Sequence, residues 1–89
     1  MKVIKFSAEW CPACLVMKPK WAEIIGEAPW LEVINYDFDA DIEAVDKYQV
    51  SEVLPAFIFL DKDSQEIMRL VGEVSGDKIL EAIIEHKNR

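Results

Sequence analysis

The chain has 89 residues, of which 52% are apolar, and its 17 acidic against 10 basic residues give a net charge of −7. This length predicts a single domain, residues 1–89, with enough apolar residues to fold, and the acidic balance argues against nucleic acid as a partner. No run approaches the ~20 apolar residues of a membrane span, and residues 1–10 lack the apolar stretch of a signal peptide, so we expect a cytoplasmic protein without a membrane partner.

The first half of the chain predicts a strand, a helix and a second strand. The first strand covers residues 3–7, with alternate side chains on opposite faces. A helix over residues ~11–26 follows, in which Pro19 is expected to introduce a kink and Gly26 to mark the end. Four apolar residues of this helix have approximately helical spacing: Leu15, Trp21, Ala22 and Ile25.

The rest of the chain completes the order β-α-β-α-β-β-α. The two strands joined by the first helix are expected to be parallel, and the last two antiparallel. The last helix is expected to begin after Ser75, with an apolar stripe of Ile79, Leu80, Ile83 and Ile84. The other predicted elements are a strand over 31–38, a short helix to about residue 48 that Asp39 or Asp41 would cap, and strands over 56–60 and 67–71 around a turn at 61–64.

The segment Cys11-Pro12-Ala13-Cys14 carries the candidate chemistry, because it follows a strand and opens a helix. Unpaired N–H groups and the positive end of the helix dipole stabilise a negatively charged sulfur at this place, so we predict that Cys11 ionises more readily than a free thiol. Pro12 suits the first helical turn. Cys14 lies one turn further on, within reach of the Cys11 sulfur, and is expected to lie further from solvent. Cys11 would then attack a substrate disulfide, and Cys14 would resolve the mixed disulfide.

A zinc half-site or a pair of unreactive thiols is the alternative interpretation of the two cysteines. A structural zinc takes four ligands, yet the chain has no second Cys-x-x-Cys, and the only histidine, His86, lies at the far end of the last helix. Asp37, Asp39 and Asp41 alternate as at the start of a calcium loop, but the other positions of that motif do not match. We therefore expect neither a metal nor a cofactor beyond the Cys11–Cys14 disulfide.

The chain resembles the thioredoxin-like family over nearly its whole length. The resemblance implies a three-layer α/β/α fold with a four-stranded mixed sheet in the order 2-1-3-4. The matching residues are Ala8-Glu9-Trp10-Cys11-Pro12-Ala13-Cys14, Pro19, Tyr48, Pro55, Gly72 and Ser75.

The same resemblance implies a docking surface and partners. It implies that Pro55 is cis and faces the cysteine pair, that the backbone of Leu54 pairs with an extended substrate segment, and that Trp10 forms an apolar wall beside them. The residues alone would only make Pro55 the start of a strand and Trp10 a core residue. It implies protein disulfides as substrates and a thioredoxin reductase as the electron donor. We expect the protein to be a monomer.

Three departures from the family set this chain apart. Pro12-Ala13 stands between the cysteines, where thioredoxins carry Gly-Pro. Lys5 occupies the position of a buried carboxylate, and Asn35 that of the lysine that pairs with it. Lys5 either stabilises a thiolate, which would make the protein a weaker reductant than thioredoxin, or buries only its stem and extends its ammonium to water.

Two other functions are open at this stage. The fold could serve as a non-enzymatic binding module that uses the same groove. A glutathione-dependent, glutaredoxin-like reductase is the other alternative, since a proline directly after the first cysteine is more typical of glutaredoxins. However, Val53-Leu54-Pro55 and Gly72-Glu73 replace the Thr-Val-Pro turn and Gly-Gly pair that glutathione binding uses in that family.

Overall fold

The computed structural model describes residues 1–87, so the last two residues of the predicted 1–89 domain lie outside the described residues. The elements follow the predicted order, with bounds close to those expected. They are β1 (Lys2–Ser7), α1 (Pro12–Glu27), β2 (Glu32–Asp37), α2 (Ile42–Tyr48), β3 (Ala56–Leu60), β4 (Glu66–Val71) and α3 (Gly76–Glu85).

The four strands form one mixed sheet in the order β2-β1-β3-β4, which confirms the prediction. β1 and β2 are parallel, whereas the β1–β3 and β3–β4 pairs are antiparallel. The helix α1 provides the crossover connection that neighbouring parallel strands need. The short polar turn after β3 is enough to join two antiparallel strands as a hairpin. The sheet therefore brings the carboxyl end of β1, where the cysteine segment begins, beside the start of β3.

Helices cover both faces of the sheet and create two separate cores. The α1/α3-side core contains Val3, Met17, Trp21, Ile24, Ala28, Leu31, Phe57, Phe59, Ile79, Ala82 and Ile83. The α2-side core contains Ile4, Phe6, Ala8, Cys11, Ala44, Leu54, Ala56, Ile58 and Leu60. Alternate residues of β1 and β3 enter opposite cores, and every residue of β3 is buried because it is a central strand covered on both faces.

The predicted apolar face of α1 was wrong apart from Trp21. The helix buries Met17, Trp21 and Ile24, whereas Leu15 is 63% exposed and Ile25 is 41% exposed. Both sets have helical spacing because apolar residues occur around much of the helix, so periodicity alone did not select the buried face.

One predicted helix end and one predicted core residue also needed correction, and one cap was confirmed. Gly26 lies inside α1, whose end is capped by Ala28, with the Ala28 N–H donating to the Ile24 carbonyl at 2.9 Å. Ile84, predicted in the buried stripe of α3, is 62% exposed, and Ala82 is buried in that helix instead. Ser75 does cap α3, because its Oγ accepts the Lys78 N–H at 3.2 Å.

Candidate active site

Cys11 occupies the N-cap position of α1, as predicted. Its backbone is extended (φ −95°, ψ 106°), Pro12 follows at the first helical position, and the Cys11 Sγ accepts the Cys14 N–H at 3.2 Å. A helix N-terminus offers such free N–H groups and the positive end of the dipole, which together favour a negative charge on sulfur. The local structure therefore supplies the electrostatic environment that an attacking thiolate needs.

The relative exposure of the two cysteines is the reverse of the prediction. Cys11 is only 4% exposed, because it packs in the α2-side core with residues such as Ala8, Leu54 and Ala56. Cys14 is half-buried and lines a cavity next to β1, and both cysteines are free thiols. Exposure alone would therefore point to Cys14 as the attacking group.

Ionisation, by contrast, argues against Cys14 as the attacking group. Burial raises the pKa of Cys14 to about 11, with further contributions from its hydrogen bond with Cys11 and from the charge of Cys11, while a backbone hydrogen bond with Ala8 opposes them. This value lies well above neutrality, so Cys14 is almost entirely a protonated thiol at pH 7. Because the thiolate is the reactive form, Cys14 cannot begin the exchange efficiently.

The loop before β3 brings a second element to the cysteine pair. The Leu54–Pro55 peptide bond is cis, as the resemblance implied, and both residues are buried. The Pro55 carbonyl accepts the Gly72 N–H at 2.8 Å, which fixes the loop to the end of β4. Within residues 1–87, the backbone N–H and C=O of Leu54 form no hydrogen bond.

Trp10 forms an exposed aromatic wall rather than part of the core. It is 56% exposed, its Nε1 donates to the Asp39 Oδ2 at 2.7 Å, and its ring contacts Phe38 edge to face at 6.4 Å between centroids. Sequence reasoning treated Asp39 only as a possible helix cap or calcium ligand. One signal in the sequence could have indicated this contact. Asp39 lies just after β2, and Trp10 follows β1, so the parallel pairing of these strands brings the two residues to the same edge of the sheet.

Asp37 and Asp41 shape the turn that carries Asp39. The Asp37 Oδ1 accepts the N–H groups of Asp39 and Ala40, and the Asp41 Oδ2 accepts the Asp37 N–H at 2.7 Å. Asp41, one of the two predicted caps, stands at the N-cap of α2, but its side chain makes no cap hydrogen bond. Its carboxylate stabilises the turn instead.

A cavity of about 240 Å³ opens beneath Cys14 and contains the side chain of Lys5. Lys5 lies opposite Asn35 on β2 and Phe57 on β3, and its Nζ is 4.8 Å from the centre of the Trp21 ring. Burial lowers the pKa of Lys5 below its usual value; a charge on Cys14 raises it, and Lys18 lowers it further.

The structure thus gathers most of the predicted site residues around the tip of α1. Cys11 and Leu54 share the α2-side core, while Cys14, Lys5 and Pro55 line the cavity. Ala13 is half-buried against the α2-side core, and Pro12 is exposed. Among residues 1–87, no three His, Cys, Asp or Glu side chains come together as a metal site would require, and no helix is long and apolar enough to cross a membrane.

Several known proteins with similar sequences and structures are thioredoxins. A profile of the thioredoxin family matches residues 1–85. A thioredoxin of Chlamydia trachomatis is 29% identical over 85 residues, covering 96% of this chain and 81% of its own. An H-type thioredoxin of Fagopyrum esculentum is 34% identical over 84 residues, covering 94% and 70%. The crystal structure of Fasciola hepatica thioredoxin superimposes with a TM-score of 0.86 at 35% identity, covering 96% and 79%.

Proposed function

The chain belongs to the thioredoxin family and is a protein thiol–disulfide oxidoreductase, and on this premise we propose that Cys11 is its nucleophile and Cys14 its resolving thiol. The observation that carries these roles is the contrast at the tip of α1: the Cys11 sulfur accepts an N–H bond at the helix N-terminus, whereas the pKa of Cys14 is raised to about 11. The family carries its redox group in its own cysteine pair, so the reaction needs no separate cofactor.

In the first step, the Cys11 thiolate attacks one sulfur of a substrate disulfide. A bond forms between Cys11 and that sulfur, the substrate S–S bond breaks, and the second substrate sulfur leaves as a thiolate that takes a proton from water. The Cys14 N–H, 3.2 Å from the Cys11 sulfur, stabilises the attacking charge.

The second step becomes favourable because the first one has occurred. Once Cys11 is bonded to substrate, its charge no longer raises the pKa of Cys14, and its hydrogen bond with the Cys14 thiol is weakened. Cys14 then ionises more readily and attacks the Cys11 sulfur. The Cys11–Cys14 disulfide forms, and the remaining substrate sulfur leaves with the electron pair and is protonated by water, so two electrons pass to the substrate.

We further propose that the substrate docks as an extended segment across Leu54, Pro55 and Trp10. Within the described residues the backbone N–H and C=O of Leu54 are unpaired, so the N–H can donate to an extended segment and the C=O can accept from it, as in other cases of strand addition. The exposed ring of Trp10 offers apolar contact beside it. These contacts place the substrate sulfur beside the buried Cys11. A small reagent that makes none of these contacts reaches Cys11 less easily.

The oxidised pair must be reduced again, and the family-level electron donor is a thioredoxin reductase. We propose that residues 1–89 act as one monomeric domain in the cytoplasm. The continuous sheet and its two cores support the domain assignment. A reducing compartment fits a chain whose two cysteines form only the reactive pair, with no further cysteine for a structural disulfide.

Reduction of insulin by dithiothreitol tests the proposed roles. We expect the wild-type protein to accelerate the reaction and Cys11→Ser to abolish the acceleration. When reduced Cys14→Ser is mixed with insulin after dithiothreitol has been removed, it should instead accumulate a covalent mixed disulfide with the substrate, because the first step occurs and the second cannot. Accumulation of that adduct in Cys11→Ser rather than Cys14→Ser would reverse the assignment.

Insulin reduction and a glutathione-coupled assay address the two alternative functions, which the similarity to thioredoxins does not favour. A binding module would leave the rate of insulin reduction at its background value. A glutathione-dependent reductase would turn over with glutathione and glutathione reductase but not with thioredoxin reductase.

A further inference from the structure

Lys5 places a positive charge in the cavity beneath the resolving cysteine. Its side chain is half-buried, its Nζ lies over the ring of Trp21 at 4.8 Å, and Cys14 lines the same cavity. Partial burial penalises the ammonium of Lys5, and the aromatic face offsets only part of that penalty. A negatively charged neighbour would offset the rest.

No carboxylate meets that need in the described part of the chain. The charged and titratable groups around the cavity are Lys5 of β1, Glu9 of the following loop, Cys14 and Lys18 of α1, and Asp37 of β2. Neither Glu9 nor Asp37 forms an ion pair with Lys5 within residues 1–87, and Asp37 already accepts backbone N–H groups. Within residues 1–87, Pro55, which directly precedes β3, and Phe57 of β3 also line this cavity, and both are uncharged.

The group that becomes negative here during the reaction is the sulfur of Cys14. A charged Cys14 raises the pKa of Lys5. The interaction between two titrating groups is reciprocal, so a Lys5 cation also favours the Cys14 thiolate, although burial and Cys11 outweigh this effect before substrate binds. Lys18 is exposed and lowers the pKa of Lys5, so it acts as a competing charge rather than as a partner.

We propose that Lys5 is the electrostatic partner of the resolving cysteine, and that its ammonium stabilises the Cys14 thiolate as that thiolate attacks the mixed disulfide. This inference rests on the proposed function and deepens its second step. The Cys14 proton is released to water, the Cys14–Cys11 bond forms, the Cys11–substrate bond breaks, and the departing substrate thiolate takes up a proton. Lys5 gains and loses no proton overall.

The expected size of the effect follows from two opposing consequences. If loss of the Lys5 charge makes Cys14 less acidic by about one pH unit, its thiolate fraction at pH 7 falls about tenfold. A more basic thiolate is intrinsically more nucleophilic, and with a Brønsted coefficient of about 0.4–0.5 this recovers about threefold. We therefore expect the resolving step to slow by about threefold rather than tenfold.

A variant with Cys14 as its only thiol provides the direct test. In the Cys11→Ser background, we expect Lys5→Met to move the Cys14 titration, followed by thiolate ultraviolet absorbance, to higher pH and to slow alkylation by iodoacetamide at pH 7 about threefold. Lys5→Arg, which keeps the charge, should restore both values. Lys2→Met is the matched control, because Lys2 is a lysine of the same strand that pairs with Glu32 at 3.6 Å, and it should change neither value.

Two further measurements make the outcome decisive. Lys5→Gln removes the charge but keeps a polar side chain, so agreement with Lys5→Met, with native circular dichroism, assigns the effect to charge. In the Cys14→Ser background, Lys5→Met should leave alkylation of Cys11 within about twofold of its parent. An unchanged Cys14 titration in both neutral variants, or failure of Lys5→Arg to restore it, overturns the inference. The titration needs no turnover, so it stands apart from whether the wild-type protein reduces insulin.

Discussion

Replacing Gly72 by alanine tests how the loop that carries Pro55 is held beside the cysteine pair. Gly72 has a left-handed backbone conformation (φ +84°), and its N–H donates to the Pro55 carbonyl at 2.8 Å. An added Cβ would lie 3.8 Å from Val53 Cγ1, which is ordinary van der Waals contact. Any loss of stability in Gly72→Ala must therefore come from the backbone conformation and not from a clash.

The net destabilisation is expected to be about 1 kcal/mol. A left-handed conformation costs a residue with a Cβ roughly 1–2 kcal/mol. The substitution also restricts the unfolded chain, which offsets about 0.4–1 kcal/mol of that cost. For a domain of this size, 1 kcal/mol corresponds to a fall of about 4–8 °C in Tm.

Gly26→Ala is the matched control, and its effect should have the opposite sign. Gly26 lies within α1, and an added Cβ would meet nothing within 4 Å. Alanine is favoured over glycine in a helix, so we expect about 0.5–1 kcal/mol of stabilisation. Urea denaturation of both variants, with thermal melts, measures the free energy of unfolding. A stabilised or neutral Gly72→Ala would refute the conformational reasoning, and a destabilised Gly26→Ala would restore Gly26 as the end of the helix.

Three other substitutions probe the surroundings of the site and the fold. Asp39→Asn weakens the acceptor for the Trp10 indole N–H, so the KM for insulin should rise about two- to fivefold, with kcat unchanged, for a loss of ~1 kcal/mol. The hydrogen bond with Arg69 lowers the pKa of Glu66, so this pair stabilises the fold above the ordinary carboxyl range and loses its effect as the pH falls through the folded-state value. Glu66→Gln should therefore cost about 0.5 kcal/mol in urea denaturation at pH 7 and nothing in strong acid. Ser75→Ala should cost about 1 kcal/mol at any pH, because it removes a helix cap.

The parts of the fold that the sequence predicted are those with strong local signals. β3 was placed at Ala56–Leu60 without error, because five consecutive apolar residues between a proline and a polar turn indicate a strand buried on both faces. Ser75 was recognised as a cap by residue type and position. The placement of Cys11 at a helix tip followed in the same way from a strand, a proline and a helix in succession.

The features that were missed depend on contacts between residues far apart in the chain. The buried face of α1 is chosen by the packing of Trp21 against Phe57, whose ring centroids are 5.1 Å apart, and no local pattern contains that contact. The hydrogen bond between Asp39 and Trp10 joins residues 29 positions apart. The burial of Cys11 arises from the loop at Leu54, which follows it by more than forty residues.

Accessibility alone would assign the two cysteines roles opposite to the proposed ones. Cys14 is the more exposed, yet its pKa of about 11 keeps it a thiol at neutral pH, and two of the causes of that value come from Cys11 itself. Formation of the mixed disulfide removes the charge on Cys11 and so lowers the barrier to ionisation of Cys14. Burial, the largest cause of the raised pKa, remains in the mixed disulfide, so what changes between the two steps is the contribution of Cys11. The proposed order of the two steps therefore follows in part from the electrostatics of one helical turn.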